Sequence, residues 1–63
     1  MLNNLKQIRI RRNLTLKQLS IKTGISITYL NDLENLYRIN PSLEKIDKLC
    51  KVLDVLEKEL KGN

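Results

Sequence analysis

The sequence has no histidine, no tryptophan and no phenylalanine, and it has only one cysteine and one proline. Each gap closes a route. With no histidine and a single cysteine, there is no ligand set for a zinc ion. Cys50 on its own excludes an internal disulfide, and no imidazole is present to activate its thiol for nucleophilic catalysis. On an apolar helix face it is read as a small core residue. No catalytic constellation remains, so no enzyme activity, metal or cofactor is expected. The aromatic residues are confined to Tyr29 and Tyr37. No stretch alternates apolar and polar residues for long enough to make a strand. Long apolar runs are absent too. Residues 1–12 scatter Lys6, Arg9, Arg11 and Arg12 among single apolar residues. That pattern supplies neither a signal-peptide core nor a membrane span, and a soluble, cytoplasmic chain is the expectation.

What is present is a basic chain of 63 residues with a net charge of +5. That length makes one small domain with a modest core, the kind that often leans on tight helix packing or a partner subunit. The charge is unevenly placed. Residues 1–38 carry seven cations (Lys6, Arg9, Arg11, Arg12, Lys17, Lys22 and Arg38) against Asp32 and Glu34, which accounts for the whole +5. In residues 39–63 five lysines balance five acids. The first part suits a polyanion and the second a neutral contact.

Helical spacing dominates throughout. Leu2, Leu5 and Ile8 mark a first helix that Asn13 can end in a left-handed cap. Thr15 and Gln18 form a capping box for a short second helix, with Leu14 stapled onto Leu19. Gly24 stops that helix. Ser26 caps a third helix, with Ile25 and Leu30 as a second staple and Leu30 and Leu33 as its buried stripe. The segment 36-LYRIN-40 has no period and is expected to be a loop. Ser42 caps a fourth helix with Leu43, Ile46, Leu49, Cys50 and Leu53 expected inward. Glu44–Lys48 and Asp47–Lys51 stand acid before base on its outer side. Asp54 either breaks this helix or starts a last short one that ends at Gly62. There Asp54–Lys58 and Glu57–Lys61 repeat the acid–base spacing. The expected fold is all-α, a compact bundle of four to five short helices forming a single domain over residues 1–63. Two capped helices joined by a Gly-containing turn have the layout of a helix-turn-helix.

The third helix makes that layout informative. At about 100° per residue, counted from Ile27, Leu30 and Leu33 lie around 270° and Thr28, Asn31, Asp32 and Asn35 around 90°. The polar face carries no lysine or arginine. Asn can bond adenine N6 and N7 together, Asp can accept from cytosine N4, and a Thr methyl can meet a thymine methyl. Thr28, Asn31 and Asp32 are therefore the candidate base contacts; a carboxylate near phosphates is tolerated only if it has its own donor. Ile27 lies a quarter turn from either face. It has two open roles, sealing the core rim or touching a thymine methyl.

The run 14-LTLKQLSIKTGISITYLNDLE-34, followed by 40-NPSLEKIDKLCKVLDV-55, resembles the Cro/C1-type (XRE-family) helix-turn-helix, whose fold is lambda-repressor-like. The matching features are Leu14-Thr15, Leu19, Gly24-Ile25-Ser26, Tyr29-Leu30, Glu34 and Pro41-Ser42-Leu43, and the likeness spans roughly residues 5–60. The loop 34-ENLYRINPS-42 is one residue longer than the usual family loop. In that, and in the later Val-Leu-Asp-Val, it is similar to the SinR-like repressors. Three positions depart from the pattern. Leu16 stands where many relatives have a DNA-contacting Gln, Ser20 where Ala is usual, and Thr23 where Leu is usual, which makes the second helix less apolar than is typical.

The resemblance implies a salt bridge between Arg9 and Glu34, and base contacts from the third helix. Lys17, Asn35, Tyr37 and Arg38 are the candidate phosphate contacts. Backbone N–H groups behind the caps Thr15 and Ser42 would serve the same purpose. Arg11 and Arg12 are expected to be ordinary solvated charges. Val52, Val55, Leu56 and Leu60 exceed what one short helix can bury, and family members often dimerise through this end. The expectation is a sequence-specific DNA-binding transcriptional regulator, nucleoid-associated. It would be a repressor that binds an inverted-repeat operator on double-stranded DNA as a homodimer. The rival from another class is a protein-interaction module, such as an antitoxin or anti-repressor.

Overall fold

The computed structural model describes residues 1–38 and 40–62. It contains five helices and, among the described residues, no strand: α1 (Leu5–Arg11), α2 (Leu16–Thr23), α3 (Ile27–Glu34), α4 (Leu43–Leu53) and α5 (Glu57–Lys61). Leu5, Leu19, Leu30, Leu33, Leu49, Leu53 and Leu60 are fully buried, so every helix gives at least one leucine to a single core. Each such burial stabilises the fold by about 1.5–3 kcal/mol. Leu2 is also buried but precedes α1.

Local chemistry sets the boundaries. Gln18 N–H donates to Thr15 Oγ1 at 3.0 Å while Thr15 N–H donates to Gln18 Oε1 at 2.8 Å, a complete capping box on α2. Tyr29 N–H donates to Ser26 Oγ on α3, and Lys45 N–H to Ser42 Oγ on α4. Asn13 follows α1 with φ 58°, and Gly24 closes α2 with φ 75°. Nothing lies within 4 Å of a Cβ built on Gly24, so backbone conformation, not space, calls for glycine there. Gly62 ends α5 for two reasons. Its φ is 70°, and a Cβ would come within 2.6 Å of the Asn4 side chain. Asn4 in turn donates from N–H to Leu60 O and from Nδ2 to Glu59 O, which closes the start of the chain onto α5.

Residues 36–38 and 40 form the expected loop, while Ile39 lies outside the described residues. Asp54 breaks the helix: it takes φ 56° at the end of α4, and α5 starts afresh after Leu56. Among the described residues Asp54 and Lys58 consequently form no ion pair, whereas Lys48–Glu44, Lys51–Asp47 and Lys61–Glu57 do.

Two expectations are corrected. Leu43 is not inward; at 78% exposure it is the first residue of α4, where the helix overhangs the core. Arg12 is not an ordinary solvated charge. Its Nε donates to Leu53 O at 2.8 Å and its Nη2 to Asp54 O at 3.4 Å. These carbonyls stand at the end of α4, where backbone acceptors lack helical partners and a cation is favourable.

Candidate nucleic-acid interface

The turn between α2 and α3 is held by the two unusual hydroxyls. Ser20 Oγ donates to Ile25 O at 2.6 Å. Thr23 is buried; its Oγ1 donates to Leu19 O at 2.7 Å and accepts from Ile25 N–H at 3.2 Å. The polarity that departs from the usual helix-two pattern is therefore spent on the turn that aims α3. A third tie comes from α1. Arg9 Nε and Nη2 donate to the two carboxylate oxygens of Glu34, the latter at 3.1 Å, and Arg9 Nη1 donates to Leu14 O at 2.7 Å. The Glu34 side chain is 4% exposed and that of Arg9 is 12% exposed. This fork anchors the far end of α3 to α1 and to the entry of α2.

On the outer side of α3, Thr28 and Asn31 are exposed and Asp32 is half-buried. Asn35 Nδ2 donates to both Asn31 O (3.0 Å) and Asn31 Oδ1 (3.1 Å), so the structure joins a base candidate to a phosphate candidate. It joins a second such pair: Arg38 Nε is 3.3 Å from Asp32 Oδ2. That cation forms an ion pair with Asp32 and offsets its charge. Ile27 is 44% exposed at the first turn of α3.

The remaining phosphate candidates are dispersed. Thr15 and Lys17 are exposed at the start of α2, and Ser42 is exposed at the start of α4. Tyr37 is 79% exposed in the loop, where its N–H and that of Arg38 both donate to Asp32 O. Sequence reasoning missed Lys45, whose Nζ lies 5.1 Å from the centre of the Tyr29 ring. It also missed the aromatic role of Tyr29 itself, over which Arg38 Cζ sits at 4.5 Å. These contacts bring together three separate elements, and no local spacing could have announced them.

The apolar C-terminal candidates divide. Leu60 is fully buried in its own core and has no surface left for a partner. Val52 and Val55 are half-buried against that core. Leu56 is 60% exposed, and Leu43, Ile46, Cys50 and Val55 line a shallow groove with it. Burial, then the nearby Glu57, Asp47 and Glu59, push the Cys50 thiol above its ordinary pKa. Among the described residues no group of three or more His, Cys, Asp or Glu side chains could hold a metal ion, and no helix is long and apolar enough to cross a membrane.

A capped helix, a glycine turn and a second capped helix with an exposed polar face define a helix-turn-helix. The family model described as helix-turn-helix matches residues 5–60, and the chain belongs to that family, as its Cro/C1-type features indicate. It is 35% identical over 51 residues to the HTH-type transcriptional regulator SinR of Bacillus subtilis (strain 168), a match covering 81% of this chain and 46% of the relative. The SinR of Bacillus licheniformis matches to the same extent. The chain spans about half the length of the curated relatives it matches.

Proposed function

We propose that the chain is a sequence-specific DNA-binding transcription regulator that acts as a repressor. The observation that carries this reading is the face of α3. It offers Thr28 and Asn31 to solvent, free of lysine and arginine, on a helix fixed by Gly24, Ser20, Thr23 and the Arg9–Glu34 fork. Base edges call for hydrogen-bonding groups of this kind, while phosphates are served by charges on neighbouring elements. Lys17 at the start of α2 and Arg38 in the loop after α3 supply such charges. Asn31 and Asp32 read bases, Ile27 meets a thymine methyl, and Asn35 both steadies Asn31 and stands near the backbone. The similarity to transcriptional regulators of the helix-turn-helix type supports the same class.

The operator in this proposal is an inverted repeat. The described residues extend 26 Å along their longest axis and carry one such α3 face. Successive major grooves on one side of B-DNA lie about 34–36 Å apart, so reading two of them takes two copies. Leu43 and Leu56 are the apolar surface offered for that pairing, with Val55 in the same groove and Val52 half-buried elsewhere on α4. The same exposed leucines favour the second reading, a module that binds another protein, which predicts salt-insensitive association and no preference among duplexes.

Site selection from random DNA, with salt titration of the winner, tests the proposal. Asn31→Ala is expected to cost about 1–3 kcal/mol and to relax one base position, while Lys17→Ala weakens all sequences alike and flattens the salt slope. Equal losses on specific and random DNA for both variants would sink the role of Asn31.

A further inference from the structure

Three elements converge on Tyr29. Its ring is half-buried against the core, so its position is set by packing. Arg38 from the loop lies over the ring at 4.5 Å, and Lys45 from the first turn of α4 lies at 5.1 Å. Arg38 is held a second time by Asp32, at 3.3 Å, and a third time through its own N–H, which donates to Asp32 O at 3.3 Å. The Arg38 side chain is nonetheless 52% exposed and that of Asp32 27% exposed. Among the described residues the Asp32 carboxylate and the Arg38 guanidinium meet as an ion pair and are otherwise free of side-chain hydrogen bonds. The pair therefore presents one acceptor and several donors, side by side, at the edge of the α3 face.

We infer that Asp32 and Arg38 form a single specificity-determining unit, with Tyr29 as its positioning residue and Lys45 as its second cation. The inference rests on the DNA-reading proposal and deepens it. A carboxylate alone would be repelled by the phosphates that line a groove. Here Arg38 offsets its charge while keeping two Nη groups for a phosphate oxygen, and the Tyr29 ring face attracts both cations. Asp32 Oδ1 then accepts from the amino group of a cytosine. Adenine is the poorer partner, because its N7 acceptor stands beside N6 and repels a carboxylate. A simple surface ion pair would tidy the loop and do nothing for sequence, since exposed pairs contribute little. The two views differ in whether Arg38 affects base choice.

Site selection and binding titrations on the whole chain, compared among wild type, D32N, R38Q, the D32N/R38Q double variant, Y29F and Y29L, decide this. Wild type is expected to prefer cytosine at one half-site position by about tenfold. D32N loses that preference. R38Q loses it too and also weakens every sequence, and the double variant discriminates no less than D32N alone. Y29F keeps the ring face and the preference, whereas Y29L erodes it. Y29L also alters packing, so R38Q and Y29F carry the test if Y29L melts early. If R38Q weakens all sequences equally and keeps the cytosine preference, the inference is overturned and Arg38 is a plain phosphate anchor. A selected site with no position dependent on Asp32 overturns it as well, while leaving the DNA-reading proposal standing. Selection of no site at all overturns that proposal and this inference with it.

Discussion

Glu34 keeps a charge at 4% exposure, which is tenable only because Arg9 grips both of its oxygens. Replacing one partner strands the other as a partly buried charge or unpaired donor. Glu34→Gln is expected to destabilise the domain by about 3 kcal/mol in urea unfolding. Arg9→Gln should do likewise, and the double variant should lose less than the sum, since the two residues act on one interaction. Additive losses would show that the fork is not the source of the cost. Cys50 gives a second residue-scale prediction. Its thiol pKa is raised by burial and then by Glu57, Asp47 and Glu59. The thiolate is the reactive form, so at pH 8 iodoacetamide should modify the folded chain more slowly than the chain in urea. A raised pKa favours the protonated thiol in the folded state. The resulting stability is full below the ordinary thiol value of about 8.5 and is lost as pH rises through the folded value. Equal alkylation rates would contradict the raised pKa.

The turn between α2 and α3 shows why an element can be placed by two hydroxyls. Thr23 Oγ1 occupies the position where an apolar side chain is usual, and it answers both Leu19 O and the buried N–H of Ile25. Thr23→Val keeps the shape and removes both bonds. It should cost about 1–3 kcal/mol, the penalty of an unsatisfied buried donor, where a merely apolar environment would make it neutral or stabilising. Thermal or urea unfolding separates the two outcomes. How much was legible beforehand follows the same division between local and distant partners. The Thr15–Gln18 box, the Ser26 and Ser42 caps, the Gly24 turn and the left-handed Asn13 all depend on neighbours within a few residues. The polar face of α3 was legible because helical periodicity alone sorts its residues. Arg12 on the end of α4, 41 residues away from Leu53, was not, and neither was the meeting of Tyr29 with Arg38 and Lys45. Leu43 and Leu60 misled for a related reason. Periodicity says which side of a helix is apolar, but the packing of neighbouring helices decides how far along that side the core extends.

At the scale of the whole molecule the net charge is unevenly placed, while exposed apolar side chains occur in both parts, Ile21 and Tyr37 in one and Leu43 and Leu56 in the other. The excess of +5 falls entirely within residues 1–38, the stretch that carries α1, α2 and α3, while residues 39–63 are neutral. A chain arranged this way can face a polyanion with one part and a second copy with the other, because no like-charge repulsion opposes close approach of the neutral parts. Leu43 at 78% and Leu56 at 60% exposure are the side chains that such a contact would cover. Changing both to serine is expected to leave the fold intact. Both are mostly in water already, and serine at position 56 is a favourable cap for α5. If the proposed dimer forms here, the Leu43→Ser/Leu56→Ser variant should sediment as a monomer where the parent self-associates. On a full inverted repeat it should lose affinity by tenfold or more, on the order of 1.4 kcal/mol. Binding to an isolated half-site should be unchanged, because α3 and its flanking cations are untouched. Loss on the half-site as well would place these leucines in the fold or the DNA contact, and no loss on either would move the dimer contact to another surface.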